Sequence, residues 1–268
     1  MKISFSKYQG AGNDFILIDD RSADFPIEKE KLIRFLCHRS YGIGADGVIL
    51  LQTSKTADYR MRIFNADGYE VEMCGNGIRC LVHFIYFLEK HQKSYKIQTQ
   101  EGCYIGQIEK DKVSIIMPTP KILEQEIRLS LSDQTLNAIL VDSGVPHVVI
   151  EMADINEVDV LALGREIRFH QRFSPKGANA NFFQVTSKGK ISLRTYERGV
   201  EAETLACGTG ALAVAAVLKE IRSQSRFTIF PRSQHPLQFQ FDDHASQVTM
   251  TGPAVLVFNG QINIRPLV

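Results

Sequence analysis

The chain has 268 residues, enough for two domains of ordinary size, and its 31 basic and 30 acidic side chains give a net charge of +1. This balance lacks the positive field typical of proteins that bind nucleic acids or anionic membranes, so we expect a small-molecule partner, no nucleic acid and no membrane. Five cysteines, an odd number, and a short longest apolar run (211–218) predict a soluble cytoplasmic protein without a disulfide framework or a membrane span.

Strand signals dominate the first half of the chain. Residues 3–19 first alternate between apolar and polar side chains and then form an apolar run. This pattern predicts two strands joined by a turn at Gly10-Ala11-Gly12-Asn13. A helix is expected from Lys29 to His38, and an apolar helix from Ile78 to Lys90. Further strands are predicted at residues 48–52, 59–64, 96–99, 104–109 and 113–117.

The segment Pro118-Thr119-Pro120 predicts a crossover between two halves, because proline interrupts both helices and sheets. After it the order repeats. Strands are predicted through Leu140 and at residues 147–150, 182–185 and 191–196, and helices at 159–166 and 211–221. We therefore predict two related domains, residues 1–118, to which a final strand at about 254–268 returns, and residues 119–253.

Two cysteines lie in closely similar local sequences. Cys74 is found in Met-Cys-Gly-Asn-Gly and Cys207 in Ala-Cys-Gly-Thr-Gly, and each lies between a strand segment (59–68 or 191–199) and a predicted apolar helix. At a helix N-terminus, unpaired N–H groups and the positive end of the helix dipole favour a thiolate. Two activated thiols, one from each half, suit proton transfer across a stereocentre. We predict that both cysteines are catalytic.

Other motifs indicate neither a metal nor a cofactor. The segment Gly42-Ile43-Gly44-Ala45-Asp46-Gly47 has the glycine spacing of a dinucleotide-binding loop, but a helix precedes it and a strand follows, the reverse of that unit. Cys74 and Cys80 are too far apart for a paired zinc knuckle, and the histidines form no helical pair at ligand spacing. Cys37, Cys80 and Cys103 are expected to be structural.

Polar residues near the two cysteines have both a structural and a functional interpretation. The amide of Asn65 begins a segment typical of a hairpin turn, and Asn76 is suited to a helix start or to a substrate carboxylate. Glu197 and Arg198 are either an exposed pair or opposite charges that bind an amino acid. His147 is either a buried structural histidine or a group that tunes the pKa of a thiol.

These motifs resemble those of the diaminopimelate epimerases, amino-acid epimerases that use no pyridoxal phosphate. The resemblance covers essentially the whole chain. It rests on residues 10–15, 62–68, 73–80, 196–199, 203–211 and 250–254. It implies an α+β fold of two pseudo-symmetric domains, each a curved mixed β-sheet around a central helix, with the active site in the cleft between them. It also implies a homodimer.

The resemblance implies a role for each candidate site residue. Cys74 and Cys207 would be the acid/base pair that interconverts LL- and meso-diaminopimelate, a step in the synthesis of lysine and peptidoglycan precursors. His147 and Glu197 would tune the thiols. The residues that would contact substrate are Asn13, Asn65, Gly75, Asn76, Asn179, Glu197, Arg198, Gly208 and Thr209.

The chain departs from the family pattern near the second cysteine. Val145 stands where the family usually has asparagine, in Gly-Asn-Pro-His, and the loop between Gly199 and Glu203 is one residue longer. The glutamine that some members place at Gly47 is absent. These departures suggest specificity that extends to a shorter acidic amino acid such as glutamate. The alternatives are a racemase of another amino acid, a proline-type epimerase, or a thiol redox or ligand-binding protein.

Overall fold

The computed structural model describes residues 2–26, 30–89, 92–109 and 112–264. The chain divides into two compact units: unit 1 is Met1–Ile116 with Gly252–Val268, and unit 2 is Met117–Thr251. No helix within the described ranges is long and apolar enough to cross a membrane.

In these ranges the chain forms 18 β-strands and four α-helices. The strands are β1 (Lys2–Gly10), β2 (Asn13–Asp19), β3 (Gly47–Thr53), β4 (Tyr59–Asn65), β5 (Glu70–Val71), β6 (Ser94–Gln98), β7 (Cys103–Glu109), β8 (Lys112–Pro118), β9 (Lys121–Ser130), β10 (Thr135–Asp142), β11 (Pro146–Glu151), β12 (Asn179–Val185), β13 (Ile191–Glu197), β14 (Ala202–Thr204), β15 (Arg226–Phe230), β16 (Leu237–Asp242), β17 (Gln247–Gly252) and β18 (Val255–Asn263). The helices are α1 (Glu30–Cys37), α2 (Gly75–Glu89), α3 (Val160–Arg168) and α4 (Gly208–Arg222).

The sheet of unit 1 runs β18-β1-β2-β3-β4-β6-β7-β8. The β2–β3 and β4–β6 pairs are parallel, and the other neighbours are antiparallel. Short β5 adds to β4 in antiparallel register. The last strand of the chain therefore completes the edge of the sheet beside the first.

The sheet of unit 2 has the same order, β9-β10-β11-β12-β13-β15-β16-β17. Its parallel pairs, β11–β12 and β13–β15, fall at the same places, and β14 adds to β13 as β5 adds to β4. The repeat that the two cysteine motifs indicate thus extends to the strand order of both units. The sheet-dominated mixed architecture confirms the predicted α+β class.

A central apolar helix lies against the sheet in each unit. Ile78, Leu81 and Ile85 of α2 are fully buried, as are Leu212 and Ala215 of α4. A helix that is apolar around its circumference needs contacts on all sides. Accordingly α2 packs against β1, β2, β3, β4, β7 and β18, and α4 against β9, β10, β11, β12, β15 and β16.

The smaller helices cover separate clusters of buried residues. Leu32, Ile33 and Leu36 of α1 join the cluster formed with β1, β2 and β3. Val160 and Ile167 of α3 join the cluster that includes β9, β11 and β12. The Asp159 side chain caps the N-terminus of α3 by accepting a hydrogen bond from the Ala162 N–H at 3.0 Å.

The elements differ from the sequence predictions mainly at their ends. Helices α2 and α4 begin three residues before the predicted starts at Ile78 and Ala211, because each cysteine caps the helix and the following glycines form its first turn. The expected helix ends at Lys29 and Lys90 lie outside the described residues. Only Thr119 and Pro120 separate β8 from β9, so the proline segment joins two strands directly.

Candidate active site

Cys74 lies immediately before α2 in unit 1, and its sulfur caps the helix. The N–H of Gly77 donates a hydrogen bond to Cys74 Sγ at 3.4 Å. A side chain at position 77 would bring its Cβ within 2.9 Å of Ile49 Cδ1, so any larger residue would require that side chain to shift. A sulfur held by a backbone donor at the positive end of a helix dipole is favoured as an anion.

Cys207 has the same position before α4 in unit 2. The backbone at Cys207 is extended, and its sulfur accepts a hydrogen bond from the Gly210 N–H at 3.4 Å. Thr209 Oγ1 lies 3.4 Å from the same sulfur. A Cβ on Gly210 would come within 2.2 Å of Asn181 Oδ1, which explains the glycine. The two cysteines therefore share one capping geometry.

Asn13 links the start of β2 to the Cys74 helix. A two-residue turn at Ala11 and Gly12, with φ of 57° and 92°, joins β1 to β2 in the manner of a tight hairpin. The Asn13 Oδ1 atom lies 3.7 Å from Cys74 Sγ and accepts a hydrogen bond from Asn76 Nδ2 at 3.2 Å. Of the predicted unit 1 site residues, these three form one hydrogen-bonded group.

A network of charged side chains that the sequence analysis did not predict contacts Asn13. Asn13 Nδ2 donates to Asp46 Oδ2 at 2.7 Å, and Arg39 Nη2 bridges Asp46 Oδ1 and Asp14 Oδ1, both at 2.8 Å. Buried Lys7 pairs with Asp14 at 2.5 Å. The sequence signal for this network is the glycine-rich segment around Asp46, whose spacing also resembles a nucleotide-binding loop.

The two carboxylates of this network have opposite pKa shifts. Burial alone would raise the pKa of Asp14, but hydrogen bonds from Arg39 and Lys7 hold it below its usual range. Burial and the neighbouring Asp14 charge raise the pKa of Asp46. Asp14 is therefore the anion that balances the two cations, and Asp46 orients the amide of Asn13.

Asn179 fixes the turn that follows β13 in unit 2. Its Oδ1 accepts a hydrogen bond from the Arg198 N–H at 2.7 Å, and its Nδ2 donates to the Pro146 carbonyl at 3.3 Å. The Arg198 guanidinium reaches the exposed Lys176 carbonyl at 3.4 Å. Of the predicted unit 2 residues, Asn179 and Arg198 are thus linked through main-chain contacts.

His147 is fully buried and neutral. Burial lowers the pKa of its imidazole to about 3. Asn181 Nδ2 lies 3.0 Å from Nδ1, so the amide donates to Nδ1 and the proton of the ring is assigned to Nε2. Within the described residues, Nε2 has no hydrogen-bond partner. His147 therefore offers a neutral N–H donor rather than a cation.

Matched ion pairs support the strands that lead to the cysteines. Arg62 of β4 contacts Glu70 through two hydrogen bonds of 2.8 and 2.5 Å, and Arg194 of β13 contacts Glu203 through two of 2.7 and 2.8 Å. Each glutamate lies four residues before its cysteine in the sequence. Neither pair was predicted.

The remaining predicted residues occupy equivalent positions at strand ends and helix starts. Asn65 is the last residue of β4, and Glu197 is the last of β13. Gly75 and Gly208 are the first residues of α2 and α4. The backbone N–H of Asn65 donates to the Tyr69 carbonyl at 2.9 Å, as the predicted turn requires.

The arrangement has the elements of acid/base chemistry on an anionic substrate. Each unit presents a thiol together with the first-turn N–H groups of a buried helix, and such groups bind carboxylates. The neighbouring side chains include amides and hydroxyls that accept or donate hydrogen bonds without adding a competing acid.

Comparison with known proteins shows the family of the chain. The family model for diaminopimelate epimerase matches residues 5–122 and 139–257. A diaminopimelate epimerase of Aquifex aeolicus (strain VF5) is 38% identical over 273 residues, which cover 97% of this chain and 98% of that protein. One from Synechococcus sp. (strain JA-2-3B'a(2-13)) is 41% identical, covering 97% and 98% respectively.

A solved structure of a probable proline racemase from Agrobacterium radiobacter K84 has a TM-score of 0.79 at 15% identity. The match covers 99% of this chain and 94% of that one. At this low sequence identity it shows a shared fold alone. The family match and the two relatives span both units and both cysteine motifs. The chain therefore belongs to the diaminopimelate epimerase family.

Proposed function

We propose that the protein interconverts LL- and meso-diaminopimelate, with Cys74 and Cys207 as the acid/base pair and with no cofactor. The observation that supports this most directly is the matched capping of α2 and α4 by the two sulfurs, each held by an N–H at 3.4 Å. Family membership supplies the substrate class. Lysine and peptidoglycan precursor synthesis is the corresponding biosynthetic role.

The reaction moves one proton at a time between carbon and sulfur. One cysteine, as thiolate, takes the α-proton, and the other, as thiol, gives its proton to the opposite face of the same carbon. The product then leaves with inverted configuration, and the protonation states of the two sulfurs have been exchanged. Which cysteine acts as the base depends on the stereoisomer bound.

The difficult part is the negative charge that develops beside the substrate carboxylate, because no pyridoxal ring accepts it. We assign the stabilisation of that charge to the first-turn N–H groups of α2 and α4, at Gly75, Asn76, Gly208 and Thr209. Preorganised donors of this kind supply the largest single contribution in many enzymes. Asn13, Asn65, Asn179, Glu197 and Arg198 complete the proposed substrate contacts.

His147 and Glu197 are proposed to tune the thiols. Because His147 is neutral with a proton on Nε2, its contribution is that of a polar N–H group rather than of a positive charge. Glu197, at the end of β13, contributes a negative charge near the substrate ammonium.

Solvent deuterium incorporation tests the proposal. Reduced protein in D₂O should place deuterium at one α-carbon of LL-diaminopimelate, and Cys74→Ala and Cys207→Ala should each lower epimerisation by about 10³-fold or more, the upper range of acid/base contributions. Cys103→Ala, which changes an exposed thiol, is the matched control and should retain activity. Absence of label in reduced wild-type protein would reject the epimerase and favour a thiol redox or ligand-binding role.

A broader substrate range is a second candidate, supported by the position of Val145. Val145 lies in the loop after β10, and Ser143 Oγ of that loop donates to the Thr209 carbonyl at 3.0 Å in the first turn of α4. An apolar side chain thus occupies a loop attached to the proposed carboxylate site. Glutamate should exchange its α-proton in wild-type protein, and Val145→Asn should raise the preference for diaminopimelate. Equal preferences in the two proteins would contradict this.

We also propose a cytoplasmic homodimer formed through β18. Val255, Leu256, Val257 and Phe258 are all exposed, between 37% and 55%, and because alternate strand residues point to opposite faces, both faces of β18 are apolar at the surface. Contiguous exposed apolar surface is typical of an interface, and homodimer interfaces are enriched in it. The proposed biosynthetic role supports a cytoplasmic location.

Light scattering tests the dimer. Wild-type protein should have twice the chain mass of 30.2 kDa, and Val257→Lys should shift it toward one chain mass. Leu161→Lys, at a comparably exposed apolar residue of α3, is the matched control and should remain dimeric. A monomeric wild type, or a Val257→Lys dimer, would contradict an interface at β18.

A further inference from the structure

An arginine is buried in the helix that Cys74 caps. Arg79 of α2 is 0% exposed. Its Nη1 donates to the Gly75 carbonyl at 3.1 Å, its Nη2 to Asn76 Oδ1 at 2.8 Å, and its Nε to the Pro253 carbonyl at 3.4 Å. The guanidinium thus lies against the first turn of α2, where the candidate carboxylate donors begin.

This arginine brings a positive charge to the Cys74 end of the helix. Burial lowers the pKa of Arg79, and a thiolate at Cys80 or Cys74 acts in the opposite direction. An arginine side chain stays protonated in proteins at neutral pH. Burial also raises the pKa of Cys80 to about 12, so this neighbouring thiol stays neutral.

The equivalent place in unit 2 is apolar. Counted from the first residue of each helix, Arg79 of α2 corresponds to Leu212 of α4, which is also 0% exposed. The strand register adds a second difference, because Asn65 of β4 and Glu197 of β13 occupy the same position. Unit 1 has the added buried cation, whereas unit 2 has the oppositely charged Glu197 and Arg198 where unit 1 has Asn65 and Ala66.

Other charges near the two thiols do not reverse this difference. The Arg62–Glu70 and Arg194–Glu203 pairs are matched between the units. In unit 1, Asp46 reaches Asn13 and its pKa is raised, mainly by burial, while Lys7, Asp14 and Arg39 form the rest of that network. In unit 2, the Arg198 guanidinium contacts the exposed Lys176 carbonyl, and His147 is neutral.

We propose that Arg79 is a positioning residue that biases the resting enzyme toward a Cys74 thiolate and a Cys207 thiol. It acts in two ways: its charge favours the anion at Cys74, and its hydrogen bond to Asn76 Oδ1 turns the Asn76 amide group toward Asn13. The free enzyme is therefore ready for the stereoisomer whose α-proton faces Cys74. The assignment of a reaction to this state rests on the proposed epimerase function.

Site-resolved alkylation tests the bias without any turnover. Reduced, substrate-free protein is treated briefly with iodoacetamide between about pH 5 and pH 10, which brackets ordinary thiol ionisation, and the label on each cysteine is measured by peptide mass spectrometry. The midpoint of each pH profile reports ionisation independently of accessibility. Exposed Cys103 serves as the internal reference. The Cys74 midpoint should lie about one pH unit below that of Cys207, a tenfold difference in thiolate fraction.

Variants of Arg79 separate charge from packing. Arg79→Met should raise the Cys74 midpoint by about one pH unit, whereas Arg79→Lys, which keeps the charge, should leave it near the wild-type value. Leu212→Met, the same replacement at the equivalent position in α4, should change neither midpoint. If Arg79→Met does not fold, the order of the wild-type midpoints and the Arg79→Lys profile still decide the result.

Two outcomes would overturn the proposal: a Cys207 midpoint at or below that of Cys74 in the wild type, or equal shifts in Arg79→Lys and Arg79→Met. Failure of the proposed function is seen separately. An enzyme that shows the expected alkylation order but incorporates no deuterium into diaminopimelate keeps the thiolate assignment and loses the epimerase activity.

Discussion

Units 1 and 2 share a strand order but differ in the side chains of corresponding strands that lead to the cysteine motifs. In unit 1, Lys7, Asp14 and Asp46 belong to one charged network. At the equivalent register positions unit 2 has Leu140, Pro146 and Ala178. The capped cysteines and the Arg–Glu pairs are repeated in both units. At the three register positions compared above, only unit 1 has the charged network. A repeat thus keeps the groups that both halves need and allows the rest to diverge.

The divergence at these positions gives the two thiols unequal surroundings, although their capping is the same. A symmetric reaction needs two acid/base groups, but it does not need them to be identical before substrate binds. We therefore regard the capping cysteines as the shared chemistry and the polar residues around them as the source of their differences.

The largest expected effect that sharpens this comparison is at His147. By register it corresponds to Phe15 in unit 1, which is also buried. The folded pKa of His147, about 3, is below the unfolded value of about 6.5, so its contribution to stability is complete above that value and is lost as the pH falls from about 6.5 toward 3. The free energy of unfolding should fall by about 1.4 kcal/mol per pH unit from this group.

His147→Phe, which places the unit 1 ring in unit 2, should remove that part of the acid dependence. Urea unfolding at a series of pH values measures it. His244→Phe, at an exposed histidine, is the matched control and should leave the slope unchanged. An unchanged slope in His147→Phe would show that this histidine is not responsible.

The next effect concerns the matched ion pairs. Glu70→Gln and Glu203→Gln should each lower the free energy of unfolding by about 2 kcal/mol, because each removes a carboxylate from a largely buried arginine. Similar losses in both units are expected from their similar geometry. Glu124→Gln, which changes an exposed pair with Arg172, should cost less than about 1 kcal/mol. Losses that differ widely between the first two variants would break the equivalence of the units.

The smallest effect is expected for Asp46→Asn, which changes the support of Asn13 in unit 1. The kcat/KM should fall about tenfold, as for other side chains that orient a contact residue, while the protein stays folded. Asp67→Asn, in the exposed turn after β4, is the control and should keep wild-type activity. Unchanged kcat/KM in Asp46→Asn would show that the network supports the fold rather than the site.

The sequence predicts the elements near the cysteines better than those far from them. The repeated strand, turn, cysteine and apolar helix identify α2 and α4, because both the motif and the hydrophobic pattern are local. The prediction omits β15–β17, although their burial alternates, because weak alternation is distinguished from loop only by the neighbouring strands.

The site is less predictable because its supports come from distant segments. Asn13 and Cys74 follow from the motifs, but the contact of Asn13 with Asp46 depends on parallel pairing of β2 and β3. In the sequence Arg79 is only a polar residue in an apolar helix. Its place in the site follows from its contacts with Asn76 and Pro253. The neutral state of His147 follows from burial, which no local pattern reveals.

The pairing of β18 with β1 also has a consequence for synthesis of the chain. The ribosome delivers β1 long before β18, and their register joins Lys2 to Asn263. Unit 2 lies wholly between them in sequence and is complete before β18 emerges. The β1 edge of the nascent first unit therefore stays open until β18 has been synthesised, a long-range closure that slows folding and exposes an edge to wrong partners.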